Sequence, residues 1–548
     1  MTSEAAQARA ARGSKWLAWI VLAAAWFVTT PLRPLLDPDE GRYAEIPREM
    51  LASSDWITPR FDGLKYFEKP PLQYWATAAV YSVTGLSEWS SRLWSVALAF
   101  GCLALTFAWV RAQFGGGAAL AALTALAVSP YFLIVGHLNL LDAGLTFFLT
   151  SAVLAFTRAQ TAAPGSRAER NWMLAAWAAA ALAVLSKGIV VGVLAGGALT
   201  VYTLIERDAR PWRRLHVAAG LPLFIALTCP WFLAVSARNP GFASFFFVHE
   251  HFTRFLTTVH QRVEPWWYFL PLLLLGVLPW GAPLARAAGP AWREAPDPAT
   301  GFRPRRFLAV YAVVTLLFFS ASGSKLAPYI LPMFPVLAAL TGAHAAGPAP
   351  LAAQAARIGA GLIVVVAAGL RIYSARRNAF VPYEAADWTA AGCLLAVAGV
   401  VATLRRLRLP ATGAALASAV AAILAWQCLL YAYAVIPPAR SARDLVAATR
   451  PSVGPETALY SVGQYRETVS PYLGRLLTLV DYQGELAFGL EAEPGRHDLS
   501  VEAFKARWGT SRDAVAFFDP GVWDSWRRQG FPGRVIDADN YTVAVSRL

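Results

Sequence analysis

Charged residues and cysteines are scarce in this sequence. Only 15% of its 548 residues are charged, whereas soluble globular proteins carry about 25%. This low fraction of charged residues excludes a soluble protein of several domains, which the length alone would otherwise suggest. The four cysteines all lie inside apolar runs and none has the spacing of metal ligands, so we interpret them as small packing residues. They are Cys102, Cys229, Cys393 and Cys428.

Apolar residues make up 57% of the chain and are concentrated in long runs. A membrane-spanning helix needs about 20 apolar residues, with a range near 17 to 25. We therefore predict a polytopic α-helical membrane domain over residues 1–436, with about thirteen spans. The predicted spans are Trp16–Thr29, Leu93–Val110, Ala118–Val135, Asp142–Ala159, Trp172–Leu185, Ile189–Ile205, Val217–Val235, Trp267–Leu284, Phe307–Ser320, Tyr329–Ala343, Ile358–Leu370, Trp388–Leu404 and Ala411–Ile436.

Basic residues account for the formal net charge of +14 and predict the orientation. They cluster in short loops between the apolar runs, a pattern that favours membrane topology over nucleic-acid binding. With a cytoplasmic N-terminus, most of these Lys and Arg residues lie on the cytoplasmic side, as the positive-inside rule requires. Arg371, Arg376 and Arg377 are local exceptions. The tail then lies on the outer side.

Two loops on the predicted outer side are long. In the first, about residues 37–85, we expect two interfacial helices. One covers Asp39–Ala52, and the other runs from Pro70 or Pro71 to about Thr84, where Gly85 ends it. The second long loop covers residues 236–266. Long loops with structure of their own often carry function.

The tail, residues 437–548, differs in composition from the rest and predicts one small soluble α/β domain. Two of its segments, Asp444–Ala448 and Val501–Trp508, predict helices. We assign no chemistry to this tail. Its predicted strands are Thr457–Val462, Leu476–Val480, Ala514–Phe518 and Tyr541–Val545.

The richest group of ionisable residues lies in the first long loop. Asp37, Asp39 and Glu40 place three carboxylates within four positions, where they repel one another unless a cation or a proton is shared. An acidic group beside a span suits metal binding, general-base chemistry or the orientation of a nucleophile. The alternative is a solvated acidic loop whose Asp caps the next helix.

Both long loops contain candidate phosphate ligands. Lys69 stands at a predicted helix N-terminus, where free N–H groups and the helix dipole favour anions; alternatively, it is an interfacial Lys that reaches lipid head groups. Arg254 in the second loop is of a residue type that binds phosphate strongly. His249 is a candidate metal ligand with Glu68 as a suitable partner, although a lone histidine is more often solvated or hydrogen-bonded.

Asp142, Lys187 and Tyr329 lie at breaks between predicted spans. Ionisable residues in such places are costly, so they are functional candidates by default. All three map to the same predicted side as the two long loops. This convergence favours one shared site on that side of the membrane.

These motifs carry a family resemblance. The first loop reads Asp-Pro-Asp-Glu-Gly-Arg-Tyr-Ala-Glu from Asp37 and then Tyr-Phe-Glu-Lys-Pro-Pro from Tyr66. This resembles the integral-membrane glycosyltransferases of the GT-C superfamily, in particular the lipid A 4-amino-4-deoxy-L-arabinose transferases; the related protein O-mannosyltransferases share the early Asp-Glu pair. The resemblance extends over residues 15–345. The remaining matching positions are Ser129-Pro130, Asp142, Lys187-Gly188, Lys325-Leu326 and Pro328-Tyr329.

The resemblance implies transfer of 4-amino-4-deoxy-L-arabinose from undecaprenyl phosphate to a lipid A phosphate. The site and the tail would face the periplasm from the bacterial inner membrane, and the product would lower susceptibility to cationic peptides such as polymyxin. Asp39, Glu40 and Asp142 are then the catalytic candidates, with Asp39 as general base, as acceptor guide or as stabiliser of positive charge on the sugar. Asp142 is also a candidate partner for the sugar amino group. The substrate-binding candidates are Lys69, Arg254, Tyr329, Arg42, Tyr43, Tyr66 and Lys187.

Other interpretations stay open at this point. A protein acceptor is the alternative to lipid A, and a lipid or solute transporter is a third possibility, although the repeated halves typical of transporters are not visible. Glu68 and His249 are candidates to hold a divalent ion (zinc, magnesium or manganese) near the donor phosphate. A lipid-linked donor requires no nucleotide cofactor domain. We expect a monomer with no nucleic-acid partner.

Overall fold

The computed structural model describes residues 16–253, 264–345, 347–376, 383–404, 407–436 and 440–547. Within these ranges, nine helices are long and apolar enough to cross a membrane. Trp16–Phe27 and Val190–Glu206 are shorter apolar helices, which together with the nine confirm a polytopic α-helical fold. The nine are Glu88–Ala127, Leu141–Thr161, Val217–Arg238, Phe269–Trp292, Pro304–Ala321, Ala327–His344, Pro348–Tyr373, Tyr383–Ala402 and Ala411–Val435.

Each predicted span overlaps a helix, while the count of thirteen stays a prediction. Leu93–Val110 and part of Ala118–Val135 lie in the range Glu88–Ala127, which consists of two helical limbs that meet at a kink. Gly115 at the kink has a non-helical backbone with φ of 83°, a conformation that glycine adopts without a Cβ clash, so the predicted division between these two spans is confirmed. The remainder forms the separate helix Pro130–Gly136. The predicted span Trp172–Leu185 lies within the helix Arg167–Lys187.

Small residues let the helices of the bundle pack closely. A Cβ on Gly342 would lie 2.6 Å from the Cβ of Ala122, and one on Gly220 would collide with the indole ring of Trp177. Close approach of this kind is how helices gain dispersion contacts in a membrane, where burial of apolar surface from water is not available between them. Fully buried aromatic side chains, including Trp26, Trp280 and Trp426, fill the space between.

The first long loop contains two helices and a small hairpin. The helices, Asp39–Ser53 and Leu72–Thr84, agree closely with the prediction, and Gly85 follows the second with φ of 73°. Between them, strands β1 (Arg60–Phe61) and β2 (Leu64–Lys65) pair antiparallel. Most residues of Asp39–Ser53 are buried, and the helix packs against Leu72–Thr84 and against the tail. The interfacial placement predicted for Asp39–Ala52 stays a prediction.

The described part of the tail contains one mixed sheet of six strands. The strands are β3 Ala458–Val462, β4 Thr478–Val480, β5 Asp498–Leu499, β6 Ala514–Phe518, β7 Arg534–Ala538 and β8 Val543–Ser546. Their order in the sheet is β5-β4-β3-β6-β8-β7. Strand β3 pairs parallel with β4 and β6, and β8 joins β6 to β7 by antiparallel pairing. The four predicted strands correspond to β3, β4, β6 and β8 within two residues, whereas β5 and β7 were not predicted.

Helices cover the sheet, and a buried aromatic cluster fills one side of it. Phe504 and Trp508 on one helix pack with Phe518 of β6. Both predicted tail helices are present, with slightly longer bounds. The tail helices are Arg443–Thr449, Val469–Leu473, Ala487–Ala492, Val501–Thr510 and Pro520–Arg528.

The tail is joined to the first long loop through buried polar contacts. Asp37 Oδ2 lies 2.9 Å from Arg466 Nε, and Asp37 Oδ1 accepts a hydrogen bond from the backbone N–H of Thr468 at 2.8 Å. Gly41 also lies against the backbone of Glu467: a Cβ added to Gly41 would be 2.5 Å from the carbonyl carbon of Glu467. The start of the helix Asp39–Ser53 is thereby clamped by the tail segment 466–468.

Candidate functional site

Asp39 and Arg42 lie on the clamped helix and share a partner with the tail. Arg42 Nη1 donates to Asp39 Oδ1 at 2.6 Å, and Arg42 Nη2 forms an ion pair with Glu485 Oε2. The side chain of Asp39 is 42% exposed, whereas those of Arg42 and Glu485 are 6% and 17% exposed. A single guanidinium therefore orients two carboxylates, one from the loop and one from the tail, and Asp39 is the more accessible.

Buried polar atoms without a hydrogen-bond partner among the described residues surround this group. They are the hydroxyls of Tyr66 and Tyr74, Arg42 Nε and Glu485 Oε1. Tyr43 belongs to the same group of side chains. Arg42 Cζ lies 5.6 Å from the centroid of its ring, and that centroid is 6.3 Å from the ring centroid of Tyr74. Buried polar groups are normally paired, so this arrangement is that of a polar ligand site.

Burial raises the pKa of Glu485, and nearby Glu68 and Asp39 add to the rise against the opposing effect of Arg42. Burial and the charge of Glu485 likewise raise the pKa of Glu467 well above its usual range. In both residues burial is the largest cause of the raised pKa, and neighbouring carboxylates add to it.

A second group joins the two long loops. Lys69 Nζ lies 3.1 Å from Glu250 Oε2 and 3.7 Å from Glu68 Oε2, and it donates to the backbone carbonyl of Glu68 at 2.8 Å. His249 Nδ1 is 3.7 Å from Glu250 Oε1, and its ring stacks on Phe245. The structure thus brings together Lys69, Glu68 and His249, and it adds Glu250, which sequence reasoning had not selected although it lies next to His249.

The third group lies among helix ends of the bundle. Lys187, the last residue of Arg167–Lys187, forms an ion pair with Asp142 in the first turn of Leu141–Thr161. Lys187 Nζ also lies 4.7 Å from the centroid of the Tyr329 ring, a cation–π arrangement. The three predicted residues therefore form one cluster, in which the ammonium of Lys187 is paired with the carboxylate of Asp142.

Glu40 is a buried residue that links the first loop to the helix bundle. It is 2% exposed, and its oxygens accept from Arg92 Nε and Nη2, both at 2.7 Å, and from the backbone N–H groups of Asn139 and Leu36. A carboxylate with this many donors has no lone pair left for substrate. We reassign Glu40 from catalysis to joining the first loop to the bundle.

Two predictions remain without structural support: Arg254 as a phosphate ligand and a bound metal ion. Arg254 lies outside the described residues. For a metal, the described residues contain no group of three or more His, Cys, Asp or Glu side chains arranged to hold an ion, and the ammonium of Lys69 already lies between Glu68 and Glu250. The described residues do not fit a metal with three protein ligands, and no chemical step is derived through one.

An apolar cavity of about 610 Å³ lies among the helices of the membrane domain. Its walls include side chains such as Phe156 and Phe232. They also include Val184 and Ile189, which flank Lys187 in the sequence, and Phe247, two residues before His249. The cavity is therefore lined by residues that are close in sequence to two of the charged groups.

Known proteins match both halves of the chain. Residues 445–547 match the family described as aminoarabinose transferase C-terminal domain, and residues 17–246 match dolichyl-phosphate-mannose-protein mannosyltransferase. Undecaprenyl phosphate-alpha-4-amino-4-deoxy-L-arabinose arabinosyl transferases are 33% identical over 336 residues in Edwardsiella ictaluri and 36% identical over 331 residues in Pseudomonas paraeruginosa. Each match covers 59% of this chain and 58% of the relative's length.

The crystal structure of ArnT from Cupriavidus metallidurans bound to undecaprenyl phosphate matches with a TM-score of 0.87 and 33% identity, over 98% of both chains. The chain belongs to the ArnT family. This confirms the GT-C resemblance and the integral-membrane assignment. An archaeal oligosaccharyltransferase, AglB from Archaeoglobus fulgidus, matches with a TM-score of 0.50 at 13% identity over 92% of this chain and 70% of its own, which extends the shared ArnT fold to a more distant protein.

The tail, to which no chemistry was assigned from the sequence, also contacts residues of the site. Glu485 reaches Arg42, and Phe488 packs against Phe67 and Phe245 of the two long loops. The tail of this ArnT-family chain is therefore a wall of the site. Only its short apolar strands were visible in the sequence, and these carry no sign of a partner in the first loop.

Proposed function

We propose that this protein transfers 4-amino-4-deoxy-L-arabinose from undecaprenyl phosphate to a phosphate of lipid A on the periplasmic face of the inner membrane. The observation that carries the proposal is the match over 98% of both chains to an ArnT crystallised with undecaprenyl phosphate. The apolar cavity suits a polyprenyl chain, and Lys69 and Lys187 are suited to bind the phosphate. We propose an orientation with the N-terminus in the cytoplasm and the tail in the periplasm, based on the distribution of basic residues.

The proposed reaction is a direct displacement at the anomeric carbon. A lipid A phosphate oxygen forms the new bond to that carbon while the bond to the donor phosphate oxygen breaks, and the bonding electrons leave with undecaprenyl phosphate. Lys69, with Arg254 and Tyr329, would neutralise the leaving phosphate, a form of electrostatic stabilisation that is often the largest contribution to catalysis. Lys69 must then exchange Glu250 for the phosphate when the donor binds.

Asp39 is suited to orient the acceptor or to stabilise positive charge on the sugar. It is the accessible carboxylate of the Arg42 pair, at 42% side-chain exposure. A phosphate acceptor is mostly ionised near neutral pH, since its second pKa is about 6, so a strong general base is not required. Asp142 and Lys187 would line the sugar or acceptor pocket.

A protein acceptor is the second candidate, favoured by the mannosyltransferase match over residues 17–246. The tail match over residues 445–547 favours the aminoarabinose transfer. Mass spectrometry of lipid A from cells with and without the gene separates the two: the first proposal predicts an added aminopentose only when the gene is present. Unchanged lipid A together with altered glycoproteins would reject it.

A divalent metal remains a proposal of its own. Glu68 and His249 would supply two ligands, and donor phosphate oxygens would have to complete the set. Transfer that falls when a strong chelator strips the purified protein, and returns with one added metal, supports the metal. Full activity in a preparation shown to be metal-free removes it.

A further inference from the structure

The carboxylates around Arg42 outnumber the cations that face them. Within the described residues, Arg42 pairs with both Asp39 and Glu485, and Glu467 lies within electrostatic range of Glu485 and Arg42. One guanidinium therefore faces three carboxylates. Lys69 does not remove this surplus, because it lies between Glu68 and Glu250, two carboxylates of its own.

The bonding pattern of Glu485 leaves one oxygen available. Oε2 pairs with Arg42, while Oε1 is buried and has no hydrogen-bond partner among the residues described. The hydroxyl of Tyr66 is likewise buried and unpaired, on a residue that is 2% exposed and within electrostatic range of Arg42 and Glu485. An unpaired acceptor and an unpaired hydroxyl within electrostatic range of each other fit a small ligand that carries both a cation and hydroxyl groups.

Asp142, which the sequence had suggested for the sugar amino group, does not fit that role as well. Lys187 forms an ion pair with it, so a second ammonium would have to compete with a resident one. At Glu485 the second carboxylate oxygen is buried and unpaired among the described residues, and two further carboxylates, Asp39 and Glu467, share its single cation, Arg42. The buried unpaired acceptor and the additional carboxylates therefore occur together at the tail.

We propose that Glu485, carried by the tail, binds the protonated amino group of the transferred sugar and so selects an amino sugar over a neutral one. This rests on the proposed function and names the residue that recognises its substrate. The ammonium would donate to Oε1, with the Asp39 carboxylate nearby, while Tyr66 bonds to a sugar hydroxyl. A neutral hydroxyl in place of the amine cannot form the charge-assisted hydrogen bond to Oε1, so the neutral sugar would bind less well.

The experiment compares two donors on one preparation of the full-length protein in lipid nanodiscs, with lipid A as acceptor. One donor is undecaprenyl phosphate carrying 4-amino-4-deoxy-L-arabinose, and the other carries L-arabinose. Wild type should prefer the amino sugar in kcat/KM at least tenfold, which corresponds to about 1.4 kcal/mol. Glu485→Gln keeps the shape and should abolish most of that preference by lowering kcat/KM for the amino donor alone. Glu485→Asp, which keeps the charge, should retain part of it.

Glu493→Gln is the matched control. Glu493 is also a tail glutamate, and it pairs with Arg60 of the first loop at 2.8 Å; its substitution should leave the preference unchanged. The inference is overturned if Glu485→Gln keeps the wild-type preference, or if it lowers transfer from both donors equally, as a purely structural role or a folding defect would. A wild type that transfers neither sugar to lipid A rejects the proposed function itself, which is a distinguishable result.

Discussion

Gly41 offers a direct test of whether the tail positions the site. It lies in the helix that carries Asp39 and Arg42, and a Cβ added there would meet three backbone atoms of Glu467 and Thr468 at 2.5 to 2.7 Å. Ordinary contact begins near 3.4 Å, so Gly41→Ala must move the helix and the tail apart by about 1 Å. The colliding atoms are backbone, so rotation of a side chain cannot relieve the clash.

The magnitude follows from that displacement. Overpacking by one methyl group costs about 1–3 kcal/mol, and a misplacement of about 1 Å in a catalytic site lowers the rate by about 10²-fold. Since part of the shift will be taken up in the tail, we expect Gly41→Ala to lower kcat by about tenfold to hundredfold and to lower the Tm. Transfer is measured with the amino donor and lipid A in nanodiscs, and unfolding is followed by tryptophan fluorescence.

Gly361→Ala provides the control. Gly361 lies in the helix Pro348–Arg376, and an added Cβ there meets no atom within 4 Å, so it should gain only the small helix-propensity benefit of alanine, about 1 kcal/mol. If Gly41→Ala retains activity within twofold of Gly361→Ala, the tail does not hold the helix, and the clamp at residues 466–468 has no functional meaning.

Three further outcomes are expected. Asp39→Ala and Lys69→Ala should each lower transfer at least tenfold, about 1.4 kcal/mol in activation free energy, with Tm little changed; near-normal transfer by both would reject the site. Lys187→Met should destabilise the protein by about 3–5 kcal/mol because it leaves a buried partner uncompensated, and adding Asp142→Asn should restore most of the Tm but not the transfer; independent, additive effects would contradict the pair. Burial, with nearby carboxylates, raises the pKa of Glu49 well above its usual range, so the folded protein binds this proton more tightly than the unfolded chain does. The resulting contribution to the free energy of unfolding is complete below the unfolded pKa of about 4.3. It is lost as the pH rises through the raised pKa of the folded state. The Tm of wild type should therefore fall more steeply with rising pH than that of Glu49→Gln, and parallel curves would reject the shift.

The positions of most helices and strands could be predicted because they depend on local pattern. From the apolar runs and turn residues we predicted the end of the second loop helix at Thr84 and both ends of the strand Ala514–Phe518, as the structure has them. The division between the spans Leu93–Val110 and Ala118–Val135 could also be predicted, because the glycine run between them contains Gly115, whose backbone is non-helical.

The composition of the site could be predicted only in part. Motif spacing selected Asp39, Lys69 and Glu68, and the partner of Asp39, Arg42, is only three residues away. Glu250, the partner of Lys69, is 181 residues away and was not selected. The spacing did not distinguish Glu40, whose charge is neutralised by Arg92 at a separation of 52 residues. Glu485 was missed for the same reason, as its partner Arg42 is 443 residues away. Ion pairs between distant segments depend on how the tail docks, and the sequence pattern contains no information on that docking.

The central claim is that this chain moves an amino sugar from a lipid phosphate to lipid A. The most direct measurement is transfer by the purified full-length protein in nanodiscs, with undecaprenyl phosphate-linked 4-amino-4-deoxy-L-arabinose and lipid A as the only substrates, read by mass spectrometry. The expected result is lipid A with one added aminopentose for wild type and at least tenfold less, or about 1.4 kcal/mol, for Asp39→Ala. Unmodified lipid A with a well-folded wild-type protein would contradict the claim.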